Sequence, residues 1–380
     1  MNATLQCMSQ TEILTNYFLN ENNINKILNN NIAKQNPNLP QLSPSYLNLI
    51  NNLWKSKNKK WFSPTEFRKK IAIMNDLFKE GLPNDAKDLV SFILMQLHEE
   101  LNLYNKHNNI NNNANNIQNN LDQHNENLML QKFVQEFFTV NRSVLSDHFF
   151  GITETKIMCS ECLRKNRNPN QLPMKFNFQT FNFLIFPLEE VRIFRNNKIM
   201  TNNMNMNMIN QMNINFMYQF NNNMNNMNNI TNSVNIYDCF DYYQKEDIFN
   251  GENAMWCNDC KGLFESKNQT IIYTGPNILI LMLNRGVGLQ YKVKLEYYES
   301  INLDKYITKK DKISMIYDLY GVVTHLGESG DFGHFVASCK SPCDNNWYRY
   351  NDAIVNKISN IKSEVIDFGN SYILFYQKRQ

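Results

Sequence analysis

The sequence predicts an α+β fold, and three observations carry that prediction. Apolar residues recur at helical spacing early in the chain, strand-like runs crowd its last third, and two Cys-x-x-Cys pairs lie between. Helices segregated from strands in this way point to α+β rather than to alternating α/β units.

The helical evidence comes first along the chain. Residues 2–18 carry Leu5, Met8, Ile13, Leu14, Tyr17 and Phe18 as one apolar stripe. Residues 84–101 give the clearest helix, with Asp85 placed to cap it and Leu89, Phe92, Ile93, Leu97 and Leu101 recurring at steps of three and four. From 271 the texture changes. IIYTGPNILILML, KVKLEYYESINL, ISMIYDLYGVVTHLG, HFVASCK, NWYRYND and YILFYQ read as strands separated by turn residues, which predicts an antiparallel sheet.

The length of 380 residues suits one large domain or two ordinary ones, and 42% apolar and 12% aromatic residues suffice for a globular, enzyme-sized body. The formal charge of +3 and the lack of a Lys/Arg run argue against a nucleic-acid partner. No apolar run approaches the roughly 18 residues of a membrane span. The start, MNATLQCMSQ, lacks a signal peptide's basic and apolar regions, so a cytosolic or nuclear location is expected. In that setting the eight cysteines read as metal ligands, a nucleophile or buried thiols, not disulfides. Two Asn-rich tracts, 102–127 and about 196–235, are expected to form neither stable helix nor strand and to be disordered or weakly ordered insertions.

Cys159-Ser160-Glu161-Cys162 and Cys257-Asn258-Asp259-Cys260 have the spacing of two zinc knuckles. Each turn converges two thiolates, and two turns close a tetrahedral structural site with no open position. Neither knuckle is expected to open a helix, which argues against a redox pair. One structural zinc on four cysteines, and no catalytic cofactor, is the expectation.

The segment GDFGHFVASCKSPCDNNWYRYNDAIV carries the candidate chemistry. If FVASC and WYRYN pair as a hairpin centred near 342–343, His334 stands across from Asn351. Cross-strand neighbours lie about 5 Å apart, within reach of an amide–imidazole hydrogen bond. That bond fixes the tautomer and leaves the other nitrogen for a nucleophile, the logic of Cys-His-Asn proteases. Asp352 is adjacent and can assist or substitute.

These residues together resemble the ubiquitin-specific proteases. GHFVA followed by WYRYND resembles their histidine box, and NDAKDLVSFILMQLHEELN their helical box. GPNILILMLNR resembles their Pro-x-x-Leu-x-x-x-Leu-x-Arg strand, DLYGVVTHLG the strand before the histidine, and the paired knuckles their zinc ribbon. The resemblance implies a papain-like fold over 1–380: a helical thumb in 1–150, zinc-bearing fingers in 151–275 and a β-rich palm in 271–380. It implies a deubiquitinase acting on ubiquitin and ubiquitinated proteins, cutting after the ubiquitin C-terminal glycine. His334 would then be the general base with Asn351 its orienting partner. Asp85 and Asp88 would meet the arginine-rich ubiquitin tail through carboxylate–guanidinium forks.

One departure bears on activity. MNATLQCM resembles the part of the family's cysteine box that follows the nucleophile, usually written Asn-x-Gly-Asn-Thr-Cys-Tyr-Met-Asn-Ser. The nucleophile is therefore expected two positions before Met1, and the chain as written is expected to lack turnover. Cys7 cannot replace it, being about 12 Å further along a helix. Two explanations stay open: a truncated reading of an active enzyme, or a ubiquitin-binding scaffold without catalysis.

Overall fold

The computed structural model describes residues 1–28, 41–56, 61–79, 85–103, 125–166, 173–211, 232–286, 293–309, 314–327 and 333–380, with side chains to 201 in the sixth segment. The first apolar stripe forms two helices, α1 (Asn2–Ser9) and α2 (Glu12–Leu19), followed by α3 (Glu21–Leu28), α4 (Ser43–Trp54), α5 (Thr65–Met74), α6 (Ala86–Glu100), α7 (Glu126–Val140) and α8 (Val144–Phe149). The break after α1 has a local cause. Thr11 leaves helical geometry, and its hydroxyl meets the Tyr320 hydroxyl at 2.8 Å and the Cys7 carbonyl at 3.3 Å. The stripe residues Leu5, Met8, Leu14 and Phe18 are all buried.

Helix α6 begins as expected. Asp85 accepts a hydrogen bond from the Lys87 backbone N–H at 2.8 Å, and Leu89, Ile93, Leu97 and Leu101 are buried. The His-Glu-Glu end of this helix has structural tasks. His98 Nδ1 meets the hydroxyl of Ser143, the residue capping α8, at 2.7 Å. Glu100 accepts the backbone N–H groups of Leu42 and Ser43, each at 2.7 Å, so a buried carboxylate serves the donors at the start of α4.

The strands are β1 (Gly151–Cys159), β2 (Met174–Phe181), β3 (Leu184–Pro187), β4 (Ser233–Asn235), β5 (Glu246–Phe249), β6 (Met255–Cys257), β7 (Gly262–Phe264), β8 (Ser266–Thr274), β9 (Ile278–Asn284), β10 (Lys294–Glu296), β11 (Ser300–Asn302), β12 (Ile316–Leu326), β13 (His334–Lys340), β14 (Trp347–Asn351), β15 (Ile354–Lys357) and β16 (Ser371–Lys378). Among them run α9 (Ser160–Lys165), α10 (Leu188–Gln211), α11 (Ile236–Tyr243) and α12 (Ile361–Glu364). Among the described residues the large sheet has the order β15-β14-β13-β12-β16-β9-β3, with β11 on β12. A second sheet has the order β2-β1-β8-β5.

The large sheet is buried on both faces. Along β9, Ile278, Ile280 and Met282 enter the core shared with α1–α6, while Leu279, Leu281 and Leu283 enter the core under α10 and α11. Two-sided burial explains why this strand reads as an unbroken apolar run instead of alternating. Just past the strand's last residue, Asn284, the buried Arg285 guanidinium donates to the carbonyls of Ser371, Val293 and Phe368 at 2.7, 2.7 and 3.1 Å. The arginine of the apolar strand motif thus ties β9 to the start of β16.

Several expectations need correction. The large sheet is mostly antiparallel, but β3 lies parallel to β9, and β4 and β10 form a separate parallel pair. Strands are not confined to the end of the chain: β1–β3 occupy 151–187, and β3 joins the large sheet. The tracts 102–127 and 196–235 fall largely outside the described residues, but their edges are ordered. Asn125 caps α7, α10 continues through 196–211, and Ser233–Asn235 forms β4. Burial of Leu188 and Val191 and a Glu189–Arg192 pair at 2.6 Å establish α10 before the Asn residues begin. Asn235 itself is a helix cap, its side chain accepting from the Tyr237 N–H at 3.0 Å.

Candidate active site and metal centre

His334 opens β13, and the sequence around it fixes where the ring sits. Gly333 precedes it because there is no room for a side chain: a Cβ there would lie 2.3 Å from His325 Nε2 and 2.7 Å from the Leu326 carbonyl. On the other side, β14 ends at Asn351 and a two-residue turn of Asp352 and Ala353 leads to β15, with Asn351 facing Ile354. Asp352 adopts φ of 51°, a conformation that aspartate tolerates better than most residues.

These elements bring His334 Nε2 to 2.7 Å from Asn351 Oδ1. An amide oxygen accepts, so Nε2 carries the proton and Nδ1 is the basic nitrogen. Asp352 Oδ2 stands 3.8 Å from the same Nε2, and Asp352 Oδ1 accepts from Asn2 Nδ2 at 2.7 Å. The amino end of α1 therefore abuts the His–Asn–Asp group. The route to this contact differs from the sequence reading. Ala337 faces Tyr350 and Lys340 faces Trp347, so the hairpin is centred one place later than expected. Its loop runs from Ser341 to Asn346, closed by the Ser341 N–H donating to the Asn346 carbonyl at 2.8 Å, with Asn345 at φ of 58°. His334 and Asn351 are consequently diagonal neighbours, on the same face because the shift is two residues.

Cys7 lies elsewhere. It is fully buried, with its sulfur 3.4 Å from that of Cys339, and Cys339 is five residues along β13 from His334, about 16 Å at strand rise.

Asp85 and Asp88 form a separate acidic group. Asp85 accepts from the Tyr372 hydroxyl at 2.9 Å and lies 3.4 Å from Lys87 Nζ. Burial, then the neighbouring Asp85 charge, pushes Asp88 above its ordinary value. Tyr372 packs against Phe335 and His325 with ring centroids 5.3 and 6.0 Å apart, so this group reaches the residue after His334 through aromatic contacts. The sequence alone did not expose the Asn2–Asp352 contact, the Gly333–His325 packing or the Tyr372 hydroxyl. The Asn2–Asp352 and Tyr372–Asp85 partners are 350 and 287 residues apart, too far for any local signal to link them. The Gly333–His325 contact depends on how β12 and β13 pack.

The four knuckle cysteines converge at the far end of β1. Their sulfurs all lie within 4.8 Å of one another, and Cys162 Sγ is 3.4 Å from both Cys257 and Cys260. That is well beyond a disulfide of about 2.05 Å, and a four-thiolate set of this kind is able to hold a metal ion. Pairing of Cys159 with Ser266 and a bond from the Ser160 N–H to the Glu265 carbonyl at 2.9 Å set the first knuckle. The second turns through Lys261 at φ of 56°, whose N–H donates to the Cys257 carbonyl at 2.8 Å. One expectation is corrected: Cys159 immediately precedes α9, so the first knuckle does open a short helix. The case against a redox pair therefore rests on the fourfold convergence, not on helix position.

Comparison with known proteins decides the family. A family model described as ubiquitin carboxyl-terminal hydrolase matches residues 1–376. The chain belongs to the ubiquitin carboxyl-terminal hydrolase family. Similar relatives include human ubiquitin carboxyl-terminal hydrolase 21, 22% identical over 399 residues, covering 100% of this chain and 60% of that protein. Human ubiquitin carboxyl-terminal hydrolase 2 is 23% identical over 385 residues, covering 99% of this chain and 53% of that protein. The chain thus spans about three-fifths or less of these relatives' own length. Among solved structures, the yeast SAGA deubiquitinating module superposes with a TM-score of 0.60 at 19% identity, covering 100% of this chain and 66% of that one. The Ubp8/Sgf11/Sus1/Sgf73 module bound to ubiquitin aldehyde gives 0.60 at 17%, covering 100% and 67%. The fold is the papain-like one of the ubiquitin-specific proteases.

Proposed function

We propose that this chain is the catalytic body of a cysteine deubiquitinase, with its nucleophile supplied from just ahead of Met1 in a longer polypeptide. The observation that carries the reading is the His334–Asn351 contact at 2.7 Å beside the amino end of α1. A thiol placed there faces the basic Nδ1 of His334. Its thiolate attacks the carbonyl of the ubiquitin C-terminal glycine, and the lysine amine leaves with the proton that His334 has taken up. Water then hydrolyses the acyl-enzyme with His334 as base. Asn351 holds the tautomer, and Asp352 stabilises the imidazolium from 3.8 Å.

The other parts fit the same reading. The helical part over 1–150, the segment 151–275 with the second sheet, and the β-rich segment 271–380 serve as thumb, fingers and palm. Asp85 and Asp88 engage the arginine-rich tail of ubiquitin. The four-cysteine cluster holds one structural zinc that pins the β1 end to the β6–β7 hairpin. The solved module bound to ubiquitin aldehyde supports ubiquitin as the ligand.

The test adds back the codons upstream of Met1 and measures release of a fluorophore from the ubiquitin C-terminus. The reading expects a Cys-Tyr step just before Met1, turnover with it, and none from the chain as written. An upstream stop codon or unrelated sequence removes the active reading. The second reading, a ubiquitin-binding scaffold, is favoured by the buried, distant position of Cys7. It expects ubiquitin binding by the chain as written, weakened by Asp85→Ala or Asp88→Ala.

A further inference from the structure

Beside His334, away from the acidic group, lies a cleft of about 480 Å³ that the proposed chemistry does not use. Its walls include Asn2, Trp54, Trp61, Tyr350, Asp352 and Val355. The strand order fixes its place. β13 carries His334; on one side β12 and β16 lead to Tyr372 and the Asp85 group, and on the other β14 and β15 lead to this cleft. The cleft and the Asp85 group therefore lie on opposite sides of β13.

We propose that the cleft receives the lysine-bearing segment of the conjugated protein, the leaving-group side of the isopeptide bond. This rests on the deubiquitinase reading and deepens it. Three observations select the occupant. First, the inner end is continuous with the site, because Asn2 and Asp352 belong to both. Second, the lining has the two characters of a lysine: aromatic and aliphatic walls for the methylene stem, and the half-exposed Asp352 carboxylate where its nitrogen approaches His334. Third, Trp61 is 68% exposed and Val355 53%, with Ile354 beside it at 59%. Large apolar side chains grouped at the mouth of a cleft suit a partner that covers them, and tryptophan is a frequent anchor in such contacts. The floor is held in place: Gln10 donates to the Tyr350 hydroxyl at 3.2 Å, and Tyr350 packs into the helical core.

The test compares two ligands for the chain as written by fluorescence anisotropy. One is ubiquitin. The other is ubiquitin joined to a lysine-bearing peptide through a triazole that resists cleavage. The expected result is a conjugate bound about fivefold or more tighter than ubiquitin, with the ratio falling to about one in Trp61→Ala and in Val355→Asp. Equal affinity of the two ligands in the unaltered chain overturns the cleft assignment while leaving the ubiquitin reading standing. A ratio that persists in both variants also overturns it. Loss of binding to both ligands by a folded chain removes the deubiquitinase reading, and the cleft with it.

Discussion

Asn2 donates to Asp352 at 2.7 Å, so the first turn of α1 is fastened to the turn that follows Asn351. The amino end of α1 and the strand pair carrying His334 and Asn351 are thereby held in register, which on the proposed reading aligns nucleophile and base. In an upstream-extended chain carrying the nucleophile, Asn2→Ala is expected to lower kcat about tenfold with little change in KM. A change confined to thermal stability would contradict this positioning role. Asp352→Asn is expected to act in the same direction.

Gly333 lacks a side chain because the His325 ring occupies the space, with a Cβ contact of 2.3 Å to Nε2. Gly333→Ala must displace either that ring or the start of β13. A stability cost of about 1–3 kcal/mol is expected, measured by chemical denaturation. Activity of the extended chain should fall by more than that cost explains, since His334 is the next residue.

The buried Arg285 guanidinium serves three carbonyls. Lysine cannot reproduce that planar fork, so Arg285→Lys is expected to destabilise by about 3 kcal/mol. Urea denaturation checks it; a loss under 1 kcal/mol would mean that solvent replaces these bonds.

Two buried histidines set an acid sensitivity. Burial holds both His98 and His325 below the ordinary histidine value. Their folded values are depressed, so the unfolded chain binds protons first as pH falls below about 6.5. The stability they contribute is present above that pH and is lost on acidification, at up to about 1.4 kcal/mol per pH unit for each group. The melting temperature should fall between pH 7 and pH 5, less steeply in His325→Gln. Glu154, fully buried on β1, acts with the opposite sign. Burial, ahead of Lys156, raises its carboxyl, so its cost is present at neutral pH and is relieved on protonation. Glu154→Gln should therefore raise the melting temperature at pH 7.5 more than at pH 4.5.

The cysteine cluster gives a fifth expectation. If it holds zinc, chelation should release one ion per chain and lower the melting temperature, and Cys257→Ser should do the same. Metal analysis finding no bound zinc in freshly purified protein would contradict the assignment.

How much of this was legible depended on range. The α6 helix and β9 announced themselves because their apolar spacing is local, as was the capping role of Asp85. The His334–Asn351 contact was within reach because one hairpin joins the two, although the loop from Ser341 to Asn346 moved its centre. Partners distant in sequence stayed hidden, as with Asn2 and Asp352 or Tyr372 and Asp85, separated by 350 and 287 residues. The Asn-rich edge of α10 was misread because propensity was weighed without the burial of Leu188 and Val191. Glu100 and Arg285, which the sequence offers only as members of family-like motifs, serve backbone groups in the structure.

The most direct measurement is ubiquitin-amide hydrolysis by the chain extended through a cysteine two positions before Met1, compared with the same protein carrying His334→Ala. Turnover in the first and a loss of about 10⁴-fold in the second are predicted. Equal rates in the two proteins, or no rate in the first when it is folded and binds ubiquitin, would contradict the account.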